Sequence, residues 1–317
     1  MNSSGGRLDF LLVGDRLDRK HGENNCRDCL ADLLVDQGYS AVSAYKLSLG
    51  AAAKTKNLVL LPGAGTFTKL VEIPILLWHL ATGAKAFLWF HNRSYSHWGF
   101  VSRVLTGWLG VKELCLQKLQ AKNRRTAIHF PNFIEATSLR AQQRKTIVWL
   151  SRLERCKGAQ TAYDTWRILY EQDSNWKLVM IGPEGDWSPA ASGPVELVGP
   201  AYGDEKMDLL SSGGVFLLPS QYPSETQPLV VAEAMSVGMP VVMSNINNID
   251  EMIRNPCVAG FSAGPTESPL VYAELVLRAY KDWQNLSEQA IENVATVYSR
   301  EAFSARLMRV FGLPIEP

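Results

Sequence analysis

The sequence predicts an α/β protein of two domains, each a parallel sheet covered on both faces by helices. Three observations lead there. A chain of 317 residues, 46% of them hydrophobic, is long enough to bury two cores. Brief aliphatic or β-branched runs alternate with amphipathic helical segments, as in parallel sheets with crossover helices. A polar stretch without apolar period, Ala136–Lys145, lies between two such series. The expected division is therefore a first domain over 1–140, a second over 141–298, and a terminal helical segment over 299–317.

In the first half, Leu8–Gly14, Leu58–Leu61, Ala86–Phe90 and Thr126–Phe130 read as strands, and Cys26–Gln37 and Val71–Thr82 as helices. A basic, Gln-rich stretch, Lys118–Arg125, precedes the last of these strands. The second half reads more distinctly. Ile147–Leu150, Lys177–Ile181, Val195–Val198, Val215–Leu218 and Pro240–Met243 are expected strands. Ala159–Gln172 has helical spacing, with Ala162, Trp166 and Leu169 on one face. Asp204–Ser211 and Pro228–Val237 are further helices, the second closed by Gly238. Ile249–Ile253 is a short helix whose cap is Asn247 or Asn248, and Ser287–Tyr298 and Glu301–Phe311 are the last two helices.

The segment Glu225-Thr-Gln-Pro-Leu-Val-Val-Ala-Glu233 runs from a loop into one of these helices. Pro228 suits the first helical position, where a missing N–H costs nothing. Glu233 then falls among Val230, Val231, Ala232, Ala234 and Met235, an expensive place for a carboxylate without a partner. The unpaired N–H groups at the helix start favour an anion. One segment thus offers an acceptor for hydroxyls and a cradle for phosphate, a combination that suits a sugar nucleotide.

Ligands of open parallel sheets bind at the carboxyl ends of the strands. Ser151, Arg152 and Lys157-Gly158 follow one expected strand, Gly182-Pro-Glu-Gly185 the next, then Gly199-Pro200, then Pro219-Ser220, which leads into Glu225. Arg152 and Lys157 add two positive charges suited to a diphosphate. Arg152 alone would read as an ordinary surface ion pair, but beside the Glu225–Glu233 segment the functional reading is favoured.

This ordered set resembles the C-terminal domain of the family 4 retaining glycosyltransferases, which have the GT-B fold of two Rossmann-like domains facing each other across a cleft. It comprises Ser151-Arg-Leu-Glu-Arg-Cys-Lys-Gly158, Lys177-Leu-Val-Met-Ile-Gly182, Leu217-Leu-Pro-Ser220 and Glu225 to Val242. Glu225 and Glu233 match that family's E-x7-E motif. The resemblance implies a metal-independent transfer of a sugar, with retention, from a UDP- or GDP-sugar to a glycan, lipid-linked or small-molecule acceptor. No further cofactor is implied. In such an enzyme the leaving phosphate helps to accept the acceptor's proton.

Carried over, Arg152 and Lys157 would contact the donor diphosphate, and Glu225 the sugar hydroxyls. Thr226, Gln227, Pro228 and Leu229 would line the donor site, Glu233 would accept from the ribose hydroxyls, and Gly182 and Gly199 would border the nucleotide. In the first domain, Gly22 and Glu23 fall in the loop expected near the phosphates, and His91 resembles the family's histidine at the cleft. The alternative for His91 is a strand-end histidine bonded to backbone, but its position after the strand Ala86–Phe90 favours the functional reading. The last helix would cross back to the first domain. The chain departs from the family where many members carry Gly-Phe after the first glutamate, since it has Thr226-Gln227; the departure bears on which sugar is moved.

Net charge is +1, but residues 1–141 hold 18 Lys+Arg and 10 Asp+Glu, against 14 and 21 over 142–317. A basic first half fits a phosphorylated acceptor or peripheral contact with an anionic membrane surface, and equally two solvated surfaces that attract each other. Nothing suggests nucleic acid as a partner. The five cysteines are too scattered for a disulfide framework, and no signal peptide or spanning run is read, so a cytoplasmic setting is expected. Cys26-Arg-Asp-Cys29 has redox or zinc spacing but no second ligand pair. His79, His97 and His129 are isolated, and Trp89, Trp98 and Trp108 read as core. No Asp-x-Asp pair suggests a metal-bound diphosphate. The other readings are a nucleotide-sugar epimerase or hydrolase of the same fold, and a non-catalytic nucleotide-sugar-binding subunit.

Overall fold

The computed structural model describes residues 8–13, 30–44, 55–60, 85–90, 112–116, 127–189 and 194–314. The expected helix Val71–Thr82, the basic stretch Lys118–Arg125, Cys26 and Cys29, Trp98 and Trp108, and the site candidates Gly22, Glu23 and His91 lie outside the described residues. The chain forms two compact units, Met1–Phe130 and Pro131–Pro317.

The first unit holds a parallel six-stranded sheet in the order β2-β1-β3-β4-β5-β6. Its strands are β1 (Leu8–Val13), β2 (Ala41–Ala44), β3 (Thr55–Leu60), β4 (Lys85–Phe90), β5 (Lys112–Cys115) and β6 (Ala127–His129). Residues 30–36 are helical, with Leu30, Leu33 and Leu34 buried. β2 and β5 were not foreseen, because Ala41-Val-Ser-Ala44 and Lys112-Glu-Leu-Cys115 mix polar and apolar residues too closely to stand out.

The second unit holds the other six-stranded parallel sheet, ordered β12-β11-β10-β7-β8-β9. The strands are β7 (Thr146–Leu150), β8 (Lys177–Ile181), β9 (Val195–Val198), β10 (Val215–Leu218), β11 (Val241–Ser244) and β12 (Gly260–Ala263). Alternate residues of the central strands serve two separate cores. Val148, Leu150, Val179, Ile181, Phe216 and Leu218 pack on one face, while Ile147, Trp149, Leu178, Met180, Val215 and Leu217 pack on the other. Burial on both faces is why these strands are unbroken apolar runs.

Helix α1 (Ala159–Gln172) covers the second face with Ala162, Trp166 and Leu169. Helices α2 (Gly203–Ser211) and α3 (Leu229–Ser236) cover the first with Leu210, Val231, Ala232 and Met235. Helices α4 (Pro269–Lys281), α5 (Trp283–Asn293) and α6 (Arg300–Phe311) complete the unit. Neither β12 nor α4 was read from the sequence. β12 opens on Gly260, where a Cβ would lie 1.8 Å from the Val241 carbonyl oxygen, so a residue that reads as a loop is required by close strand packing. The expected helix over Ser287–Tyr298 is α5 followed by a π-helical turn, Val294–Tyr298.

The polar stretch Ala136–Lys145 is part of the second unit rather than a bare linker. The Ile134 and Ala141 side chains are buried, and their N–H groups donate to the Tyr298 and Val237 carbonyls at 2.8 and 2.7 Å. Helix α6 buries Phe303 and Leu307, and the Phe303 ring lies 4.7 Å from that of Phe133.

Candidate active site

Strand order places the site. In the second sheet the chain runs outward from β7 through β8 to β9, then returns to the other side of β7 with β10, β11 and β12. β7 and β10 are adjacent yet their loops leave toward opposite sides, which opens a crevice at their carboxyl ends. The residues after β7 and after β10 are the ones the sequence singles out.

A glycine draws these two loops together. Gly158 has φ +81°, and a Cβ there would lie 2.2 Å from the Pro219 carbonyl oxygen. Only glycine accommodates both the left-handed backbone and the approach. Beside it the Gln221 N–H donates to the Cys156 carbonyl at 2.8 Å. A second close approach at Gly182, where a Cβ would meet the Ser151 carbonyl oxygen at 1.7 Å, seats the β8 loop against the β7 loop.

The contact sets Lys157 on Glu225. The ammonium lies 2.8 Å from Glu225 Oε2, with both side chains about seven-eighths buried (12% and 14% exposed). The same ammonium stands 3.8 Å from the centre of the Tyr222 ring, a cation–π contact. Ser220 Oγ donates to Glu225 Oε2 at 3.2 Å, and the Ser244 hydroxyl donates to the Ser220 carbonyl. Asn247, at φ +53°, donates to the carbonyls of Pro223 and Glu225 and so holds the loop from the β11 side. Asn248 is the residue preceding the 3₁₀ turn Ile249–Ile253, without a side-chain cap.

Thr226 and Gln227 are buried just beyond, and the Asn132 N–H donates to Gln227 Oε1 at 2.9 Å. Pro228 stands one residue before the position expected of it. Its ψ of 107° is extended, so it precedes α3 and Leu229 is the first helical residue. No side chain caps α3, which leaves its first N–H groups facing the loop.

Glu233 calls for a correction. Its apolar neighbours suggested a carboxylate with no partner in the protein, yet Lys206 of α2 lies 2.7 Å from Oε1, both side chains about four-fifths buried. The other oxygen, Oε2, is buried with no hydrogen-bond partner. Arg152 is also engaged, 2.7 Å from Glu154, and half exposed. Gly199 is open, with no atom within 4 Å of a Cβ built on it, and its carbonyl accepts from the Gly182 N–H at 3.3 Å. Cys156 between these charges is no ready nucleophile, since burial and then its hydrogen bond to Glu154 push the thiol up. Among the described residues no group of three His, Cys, Asp or Glu side chains could hold a metal ion, and no helix is long and apolar enough to cross a membrane.

The structure thus brings Lys157, Glu225, Thr226, Gln227, Pro228 and Leu229 into one continuous wall, with Glu233 one helical stretch deeper and Arg152 at its rim. Tyr222, Lys206, Asn247 and Asn132 belong to the same wall and were not foreseen. Lys206 is 27 positions from Glu233 and Asn132 is 95 from Gln227, separations at which sequence spacing carries no signal.

A family model described as glycosyl transferases group 1 matches residues 132–297. The chain belongs to that family. The match falls within the second unit, across every residue of the wall just described. Among curated relatives, the amylovoran biosynthesis glycosyltransferase AmsK of Erwinia amylovora is 32% identical over 145 residues, covering 42% of this chain and 35% of AmsK. The O-antigen chain mannosyltransferase B of Escherichia coli is 27% identical over 127 residues, covering 40% of this chain and 28% of its own. The chain therefore spans about a third of the length of these relatives.

Solved structures extend the likeness to both units. The lipopolysaccharide outer core galactosyltransferase WaaB, in its apo form, superposes with a TM-score of 0.67 at 12% identity, over 96% of this chain and 99% of that one. HepE of Anabaena in complex with UDP-glucose gives 0.65 at 13% identity, over 96% and 99%. TarM gives 0.61 at 16% identity, over 81% of this chain and 55% of TarM. At such identities the likeness concerns the fold, and the fold is GT-B.

Proposed function

We propose that this group 1 chain is a retaining glycosyltransferase that binds a nucleotide-sugar on its second unit and transfers the sugar to a hydroxyl of a glycan or lipid-linked acceptor. One observation carries the reading: at the carboxyl ends of β7 and β10, a buried ammonium, a buried carboxylate and an uncapped helix start converge. Family membership and the likeness to a structure holding UDP-glucose support it.

In this reading negative charge grows on the diphosphate as the glycosidic bond breaks. Lys157 and the first N–H groups of α3 meet that charge more strongly than they meet the ground state, which is what accelerates transfer. Lys157 spends one of its three N–H donors on Glu225 and retains two for phosphate oxygens. Arg152, half exposed at the rim, changes partner from Glu154 to phosphate at small cost. Glu225 accepts from sugar hydroxyls, and Glu233 takes the ribose through the oxygen that Lys206 leaves free. Gly182 and Gly199 border the nucleotide. The basic composition of residues 1–141, 18 Lys+Arg to 10 Asp+Glu, favours a phosphate-bearing acceptor presented at a cytoplasmic membrane face.

Incubation with UDP-glucose, UDP-galactose, UDP-N-acetylglucosamine and GDP-mannose, each with candidate glycan and lipid-linked acceptors, tests the proposal. NMR of the product should show the donor's anomeric configuration retained. Free sugar, an isomerised donor or an inverted product would each refute it.

A further inference from the structure

The ammonium of Lys157 is held on two sides, and only one of the two groups that hold it is charged. Glu225 Oε2 lies 2.8 Å away, and the centre of the Tyr222 ring, which the ammonium faces, 3.8 Å away. The two partners act differently on the cation. A carboxylate fixes an ammonium and also cancels much of the field that a phosphate would meet. A ring face attracts it through the ring's quadrupole and leaves the full positive charge in place.

The backbone is arranged to set this ring on this lysine. The Gln221 N–H donates to the Cys156 carbonyl at 2.8 Å, so the residue before Tyr222 is bonded to the residue before Lys157. Tyr222 opens a turn, Tyr222-Pro-Ser-Glu225, closed by the Glu225 N–H on the Tyr222 carbonyl at 3.0 Å. Proline stands in the second position, where such turns favour it. The Asn247 amide donates to the Pro223 and Glu225 carbonyls and holds the turn from outside. The Tyr222 N–H donates to Ser220 Oγ at 3.2 Å. One turn thus delivers a ring and a carboxylate to one ammonium. The bonds from Gln221, from the Glu225 N–H and from Asn247 do not use the Glu225 carboxylate, so the ring stays when that carboxylate changes partner.

Resting on the proposed nucleotide-sugar site, we infer that Tyr222 is a positioning residue for Lys157, keeping the ammonium in place and fully charged for the diphosphate once Glu225 turns to the hydroxyls of the sugar. With the carboxylate engaged there, the ion pair no longer fixes the lysine. Its four-carbon stem is flexible and its ammonium strongly hydrated, so an unheld side chain returns to water. The ring removes that freedom and keeps water from one side of the cation. A cation placed and partly dehydrated in advance stabilises the growing phosphate charge without having to reorganise.

Steady-state kinetics of the full chain, with the nucleotide-sugar and acceptor that prove active, test the inference in Tyr222→Leu, Tyr222→Phe, Lys157→Met and the Tyr222→Leu, Lys157→Met double variant. Tyr222→Leu should lower kcat about three- to thirtyfold and leave KM for the donor within about twofold of wild type. Tyr222→Phe keeps the ring and should restore kcat to within about twofold. In the Lys157→Met background Tyr222→Leu should have no further effect, a result that general disturbance of the loop would not give. Mono-, di- and trifluorinated phenylalanine at position 222 keep the ring's shape and drain its face of negative charge. Along that series kcat should fall stepwise, and the series serves where leucine prevents folding. Wild-type kcat in a folded Tyr222→Leu variant, an equal loss in the Lys157→Met background, or a flat fluorinated series would overturn the inference; with Lys157→Met itself slow, each leaves the nucleotide-sugar site standing. Wild-type turnover in Lys157→Met, or no transfer from any donor, would overturn the reading of the site and the inference with it.

Discussion

Replacing Lys206 by methionine isolates the partner that the sequence did not disclose for Glu233. The substitution preserves most of the packing of the long side chain and removes the charge. Glu233 then has neither oxygen paired, because Oε2 already lacks a hydrogen bond and Oε1 loses the ammonium at 2.7 Å. Breaking a fully buried pair on one side costs about 3–5 kcal/mol, and exposed pairs contribute about 0–1 kcal/mol. With 21% and 16% exposure the pair stands nearer the buried limit, so we expect a loss of about 2–3 kcal/mol. For a unit of this size that corresponds to a fall of roughly 4–12 °C in the melting temperature of the second unit. The assay is calorimetric melting of wild type, Lys206→Met, Glu233→Leu and the double variant at pH 7.5. The double variant removes both charges and should recover most of the loss, since replacing a buried pair by apolar groups is close to neutral. A single Lys206→Met variant within about 0.5 kcal/mol of wild type, with nothing for the double variant to recover, would refute the reasoning.

Other outcomes follow from the same geometry. Lys157→Met should lower turnover at saturating donor by about a hundredfold or more; near wild-type turnover in steady-state assays would contradict its role at the diphosphate. Gly158→Ala places a Cβ 2.2 Å from the Pro219 carbonyl oxygen at φ +81°, and should cost about 1–3 kcal/mol in urea unfolding and disturb the Lys157–Glu225 pair; a neutral result would show that the two loops are not pressed together. Lys145 and the Asn175 N–H hold the Asp173 carboxyl down at about 2. A depressed carboxylate contributes stability that is fully present above its ordinary value of about 3.9 and is lost as pH falls through about 2. Asp173→Asn should therefore flatten the decline of unfolding free energy over that interval, and an unchanged pH profile would argue against the pair.

The fold was legible wherever burial on both faces forced an unbroken apolar run. Lys177–Ile181 and Val215–Leu218 appear with the bounds read from sequence, as does α1, and so does the edge strand Val195–Val198, although Glu196 interrupts it and it is largely exposed. It was not legible where neighbouring backbone set the residue. Gly260 reads as a loop residue and begins β12, because nothing larger fits against the Val241 carbonyl. Helix α4 had a readable start, Ser268 followed by Pro269, and a readable face in Tyr272, Ala273, Val276 and Ala279, and was still passed over. In the site, the sequence brought Lys157 and Glu225 to one sheet edge because both follow strands, and the structure joins them at 2.8 Å. Pro228 fits the start of a helix in φ, but its extended ψ places it before the helix. Lys206, Tyr222 and Asn132 act across the fold, and no local pattern announces them.

Calorimetric titration of UDP and GDP into the wild type and into Glu233→Ala tests the central claim most directly, because it asks for a nucleotide at the carboxyl ends of β7 and β10 before any acceptor is known. One of the two nucleotides should bind the wild type, and the variant should bind it about tenfold or more weakly. Equal affinity in the two proteins, or no binding of either nucleotide, would contradict the claim.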